Sequence, residues 1–154
     1  MKFSGELTVK APRGAVFDAL RDARFFASCV EGVRDLAEIA PDRYAAVFET
    51  KVAYMKFSFK VTVELTRADP PHRIEAKVEG APLGVVGRLT ATSVTTLSEV
   101  GDETRIAYAV DAALTGKLGS LGQPVLRAKS REMEKQFAAR LQAAFGQAKA
   151  EAVR

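Results

Sequence analysis

Residues 2–10 alternate: Phe3, Gly5, Leu7 and Val9 lie against Ser4, Glu6 and Thr8, the period of a strand with one covered face. Ala11-Pro12 ends it, because proline adds no donor to a ladder but suits the first turn of a helix. Val16, Phe17 and Leu20 then recur at helical spacing, and Phe25, Phe26 and Val30 predict a second short helix. After Gly32 the period returns to two. Tyr44, Ala46, Phe48, Thr50 and Val52 form one face of a strand, and Phe57, Phe59, Val61, Val63 and Leu65 alternate with Lys56, Ser58, Lys60, Thr62 and Glu64 in the next. Residues 74–78, 89–97 and 106–114 continue the series through short, turn-rich links, which imply antiparallel neighbours.

The last segment changes period again. Leu121, Val125, Met133, Phe137, Leu141 and Phe145 fall four or eight apart, with Leu126 beside them, and predict one long helix with an apolar stripe. An antiparallel sheet with one apolar face needs a cover, and this helix is the element long enough to supply it. The expected architecture is therefore α+β: a curved seven-stranded antiparallel sheet, two short helices after the first strand, and a long C-terminal helix over a hydrophobic cavity, all in one domain spanning 1–154. This is a helix-grip arrangement. Small residues on the strands, Ala46, Gly80, Ala91, Ser93, Ala107, Ala109 and Ala112, are expected to leave the space under the helix unfilled.

In such a meander alternate links share an end. The links at 41–42, 69–72 and 99–103 are polar, whereas those at 53–55, 80–87 and 115–122 carry Tyr54, Met55, Leu83, Val85, Val86, Leu118 and Leu121. We expect these seven to form an apolar mouth, since a clustered apolar patch marks a ligand entrance, a partner or a membrane contact. Phe57, Phe59, Leu89, Tyr108, Val125, Met133 and Phe137 are expected to line the cavity behind it. No metal site and no catalytic residue are expected.

Composition narrows the class. A hydrophobic fraction of 47% and a charged fraction of 27% are those of an ordinary globular chain. The opening residues have no apolar core of signal-peptide length, so the expected location is the cytoplasm. Cys29, the one cysteine, is expected as a small core residue, and His72 as a plain turn residue. Residues 120–154 hold seven bases (Arg127, Lys129, Arg131, Lys135, Arg140, Lys149, Arg154) against three acids (Glu132, Glu134, Glu151), which is the whole net charge of +4. A basic helix face suits an anionic membrane surface. Nucleic acid is not an expected partner.

The stretches MKFSGELTVKAPRGAVFDALRD, DPPH at 69–72, EGAPLGVVGRLTAT, YAVDAALTGKLGSLGQPVL and KQFAARLQAAF resemble the carbon monoxide dehydrogenase G-subunit family. The resemblance extends from Met1 to about Phe145 and implies a START-like, birch-pollen-allergen-like helix-grip fold. It also implies an accessory role beside a molybdenum hydroxylase of the carbon monoxide dehydrogenase type, in membrane recruitment or quinone coupling. The cavity would then hold a quinone or other lipophilic molecule with no covalently bound cofactor, and the protein would sit peripherally at the inner face of the cell membrane. Members that extend past the long helix carry a membrane-seeking tail that residues 1–154 do not include.

Chemistry is sparse. Catalysis by a histidine has only His72 to draw on, at the polar end, and GKLGSLG lacks the spacing of a phosphate loop. Glu49 and Lys51 are expected to pair on the polar face, and Asp111 to face solvent. Helix-grip relatives include polyketide cyclases and dehydratases, so the alternative to a carrier is a small-molecule enzyme using a carboxylate or Tyr108 in the same cavity. The sequence offers no obvious inward acid/base pair, which favours the carrier.

Overall fold

The computed structural model describes the backbone of residues 1–153 and the side chains of residues 1–146. Lys149, Glu151 and Arg154, which carry part of the charge on the last segment, lie outside the described side chains.

Strand β1 (Lys2–Val9) leads through Ala11 and Pro12 into helix α1 (Arg13–Arg21), which buries Val16, Phe17 and Leu20 on one face. Asp22 then starts α2 (Ala23–Ser28): its carboxylate accepts the Arg24 and Phe25 amides at 3.0 and 3.3 Å, satisfying donors at the helix start. Six further strands follow, β2 (Val33–Ala40), β3 (Arg43–Val52), β4 (Met55–Asp69), β5 (Arg73–Pro82), β6 (Gly87–Val100) and β7 (Glu103–Gly116). A single 3-10 turn, Gly119–Leu121, precedes α3 (Gln123–Val153).

All seven strands form one antiparallel sheet in the order β1-β7-β6-β5-β4-β3-β2. The alternation read from the sequence fixes which face is covered, because Phe57 and Phe59 on β4 are buried while Lys56 and Lys60 are exposed. A register shift between Leu65 and Arg67 turns Ala68 back to the covered side opposite Ile74. Strand β2 shows no such clean period: its pairing shifts twice, and Asp35 has φ 57°.

The covered face holds two separate apolar clusters. At the end with the polar links, Leu7, Val9, Val16, Phe17, Leu97, Ile106 and Leu141 pack together, with Phe25, Leu65, Phe137 and Phe145 against them. At the other end Val52, Phe57, Phe59 and Leu118 form the second, joined by Phe48, Met55, Leu89, Leu121 and Val125. Helix α3 runs from the second cluster to the first, approaching the sheet backbone closest at β1 and β3, near its two margins. The curved sheet grips it from both sides.

Candidate functional site

Between the two clusters lies a band that belongs to neither. Val63, Val78, Ala91 and Ala112 stand in cross-strand register, followed one step along by Ala76, Ser93, Val110 and Phe3. These residues lie on the face that α3 covers, yet all but Ala112 keep accessible surface. The band is therefore less tightly covered than the cluster on either side. Most of its side chains are small, alanine, serine and valine, and fill less volume than the phenylalanines and leucines of the two clusters. Ala107 and Ala109, expected among these small residues, are out of phase with Tyr108 and lie on the opposite face.

The apolar end is built as a fixed ledge. The Leu83 amide donates to Ser58 O at 2.8 Å, and the Lys117 amide donates to Val86 O at 2.9 Å. Gly116, at φ 65°, makes the second bond possible, because a Cβ there would stand 2.3 Å from Val86 O. With its backbone held at both ends, the loop presents Leu83, Val85 and Val86 outward, and Val86 is 86% exposed. Tyr54, on the neighbouring β3–β4 turn, is 88% exposed. Val85, Val86, Gly116, Lys117 and Ser120 frame an open depression of about 520 Å³. A second open groove, about 430 Å³, involves Ala45, Val47, Lys60, Glu79 and Arg88 on the outer face of the sheet, away from α3.

Not every expected mouth residue is at the mouth. Leu118 is 2% exposed and forms part of the second cluster, because the β7–α3 link folds back over Phe57 and Phe59 instead of opening outward. Met55, Leu121 and Val125 are half-buried against the same cluster, as is Leu89. Phe137 is half-buried at the other end, its ring 5.0 Å from Phe26, and among the described residues of α3 the fully buried one is Leu141. Met133 is half-buried and belongs to neither cluster.

Tyr108, one register step beyond the band and packed against the first cluster, donates its hydroxyl hydrogen bond to Glu134 Oε2 on α3. Gly5 gives the pair room: a Cβ at that position would stand 2.6 Å from the Tyr108 hydroxyl and 2.9 Å from Glu134 Oε1. Burial, and secondly the Glu134 carboxylate, push the Tyr108 phenol well above its ordinary value of 10.0. An inward acid and hydroxyl therefore do meet here, contrary to the expectation of none. By charge alone Glu134 falls on the solvent face, but it lies one turn before Ala138 and two before Leu141, both on the packed side. That spacing is the signal in the sequence that marks it as inward.

This β7–α3 pair lies between two contacts that join α3 to β1. Arg127 Nη1 donates to Lys2 O at 3.3 Å with its guanidinium 5.6 Å over the Phe3 ring, and Gln142 Nε2 donates to Thr8 O at 2.9 Å. Helix and strand run side by side, since residues 127–142 of a helix and 2–8 of a strand each span about 20 Å. Other bases of α3 also engage the protein: Lys129 pairs with Glu132 at 3.2 Å and Arg140 with Glu31 at 4.0 Å. Arg131 and Lys135 are exposed with no ion pair among the described residues.

Elsewhere, Glu49 pairs with Arg34 at 2.7 Å and Lys56 at 3.8 Å, not with Lys51, which stands opposite Lys56 in register. Asp111 is exposed. Cys29 is buried, and burial raises its thiol pKa. His72 sits in the β4–β5 turn, its Nδ1 3.2 Å from Arg13 Nη1. Among the described residues no three His, Cys, Asp or Glu side chains converge to hold a metal ion, and no helix is long and apolar enough to cross a membrane.

A seven-stranded antiparallel sheet closed over a long C-terminal helix, with two short helices after β1, defines a helix-grip protein of the START-like, birch-pollen-allergen-like class. Solved structures with this fold include a conserved protein from Geobacillus kaustophilus (24% identity, 96% of each chain covered, TM-score 0.88). The Zhui aromatase/cyclase from Streptomyces sp. R1128 (14%, 95% of this chain and 93% of that one, TM-score 0.68) and Ara h 8.0201 (10%, 94% and 97%, TM-score 0.65) share it too. At these identities the likeness is one of fold. The family model for the G subunit of carbon monoxide dehydrogenase (CoxG) matches residues 5–146, and the chain belongs to that family. No curated protein matches it in sequence.

Proposed function

We propose that the protein is a noncatalytic carrier that holds a lipophilic molecule, such as a quinone, between the sheet and α3. It would serve a molybdenum hydroxylase of the carbon monoxide dehydrogenase type, in membrane recruitment or quinone coupling, from the cytoplasm or peripherally at the inner face of the cell membrane. The observation that carries this reading is the partly accessible, largely apolar band on the face that α3 covers, where burial would favour an apolar molecule by roughly 25 cal/mol per Å². The ledge of Leu83, Val85 and Val86 supports it, because a patch of exposed aliphatics held rigidly in water is suited to being covered by a ligand, a partner or a bilayer. Family membership supports the choice of partner.

A second reading, a cyclase- or dehydratase-type enzyme, draws on the Tyr108–Glu134 pair. The pair is poorly matched to acid catalysis near neutral pH, since a phenol held well above its ordinary pKa gives up its proton less readily. Mass spectrometry of organic extracts from the purified protein separates the readings. An isoprenoid is the expected finding, an aromatic polyketide would point to the enzyme, and an empty protein that also refuses added quinone would sink the carrier.

A further inference from the structure

A polar pair at the edge of a largely apolar band raises the question of what it would meet in a ligand. Tyr108 has one hydrogen to give and gives it to Glu134 Oε2. What the pair still has to offer are acceptors: Glu134 Oε1, the spare lone pairs of the carboxylate, and the phenol oxygen. The neighbouring side chains do not change this balance. Val110 is apolar, and the Ser93 and Thr95 hydroxyls, across from Val110 and Tyr108 in register, can each donate or accept.

We propose that Tyr108 and Glu134 form the polar end of the ligand space and select a lipophilic molecule carrying a hydroxyl donor, an alcohol, phenol or hydroquinone, over its ether or carbonyl counterpart. This rests on the carrier reading above. The reason is the cost of covering an acceptor. A half-buried carboxylate still reaches water in the empty protein, and an apolar ligand lying over it removes that water. A ligand hydroxyl replaces the lost bond, whereas an ether or carbonyl oxygen presents a second acceptor and leaves the carboxylate unpaired. For the same skeleton, the structure thus favours the reduced, hydroxyl-bearing form.

Two stable probes test the choice without redox complications: 4-nonylphenol and its methyl ether, titrated calorimetrically into the full chain. The phenol is expected to bind at least about tenfold tighter, the size of one lost hydrogen bond to a charged group. In Glu134→Gln the amide brings donors of its own, so the preference should vanish or invert. In Tyr108→Phe the carboxylate remains and the preference should persist. Gly5→Ala, which drives a Cβ into the pair without altering either member, should weaken the preference.

If neither probe binds the parent protein, the carrier reading fails and the proposal with it. Equal binding of both by the parent overturns the proposal while leaving the carrier intact, and needs no variant to be made. A preference that survives unchanged in folded Glu134→Gln, or an equal loss of both probes there, overturns it as well.

Discussion

The two ends of the covered face are made of the same kinds of side chain and use them differently. At the polar-link end, α1 closes the sheet and Val9, Val16, Phe17 and Leu141 are all at 1% exposure or less. At the opposite end the cluster around Phe57 and Phe59 is also buried, but beside it Tyr54, Leu83, Val85 and Val86 stand in solvent. Apolar residues in the first end have nowhere else to be. Those on the ledge are held out by backbone bonds to Ser58 and Val86, against their own preference for burial. The fold thus keeps its most tightly covered side chains at one end and leaves exposed aliphatics at the other.

The sharpest way to break that contrast is to cut into each end. Leu141→Ala should cost about 2 to 5 kcal/mol, because a fully covered leucine on α3 leaves a cavity that the sheet cannot collapse to fill. Urea denaturation measures it, and Phe137→Ala, at a half-buried site, should cost less than a fully buried phenylalanine would. A Leu141→Ala protein as stable as its parent would mean that α3 does not anchor the closed end.

At the other end, the double change Leu83→Asp and Val86→Asp should leave stability within about 0.5 kcal/mol per site, as for surface positions. Uptake of quinone, or binding to vesicles or partner, should fall severely, since an unpaired carboxylate resists transfer out of water. A large drop in melting temperature would show that the ledge is core after all, and a stable variant with full uptake would deny it a role.

The band between the ends gives a spectroscopic prediction. Two of the three tyrosines have raised phenols: Tyr44, chiefly by burial, and, further, Tyr108, by burial and by Glu134. The protonated phenol is the form the fold favours, so this contribution to stability is complete below the ordinary value of 10.0 and is lost as pH rises through the higher folded value. Alkaline difference spectra should lose their latest-titrating component in Tyr108→Phe, and that component should move to lower pH in Glu134→Gln. Titration of all tyrosines together in the folded parent would contradict the pairing.

The smallest effect belongs to the outer face. Arg34, beside Glu49 in solvent, holds that carboxyl below its ordinary value of 4.5 by hydrogen bond and charge. What the pair adds is therefore present above that value and lost as pH falls through the lower folded one. Arg34→Gln should return the Glu49 titration, followed by NMR, toward the ordinary range with little change in melting.

Much of this is readable along the chain, for identifiable reasons. Strand β4 announces both its length and its covered face through Phe57 to Leu65, because period two is imposed by the pleat itself. Pro12 and the Val16, Phe17 and Leu20 spacing announce α1. Strand β2 is faint, since two register shifts and the left-handed Asp35 scramble its alternation. Leu118 is not where the loop's apolar character suggests, because a loop residue has no period to say which way it turns. Glu134 is hidden because a charge on a helix reads as solvent-facing until a partner appears, and its partner lies 26 residues away on β7.

The sequence by itself determined the order of elements, the covered side of each regular strand, and the apolar character of three loops at one end. Those follow from local geometry, in which neighbours along the chain settle the matter. The tertiary structure alone decided that the small residues of β5, β6 and β7 fall in register on the face that α3 covers, that Gly5 makes room for Tyr108 and Glu134, and that the ledge points outward while Leu118 turns in. Each depends on segments far apart in sequence meeting at a fixed distance, and no local pattern encodes a distance.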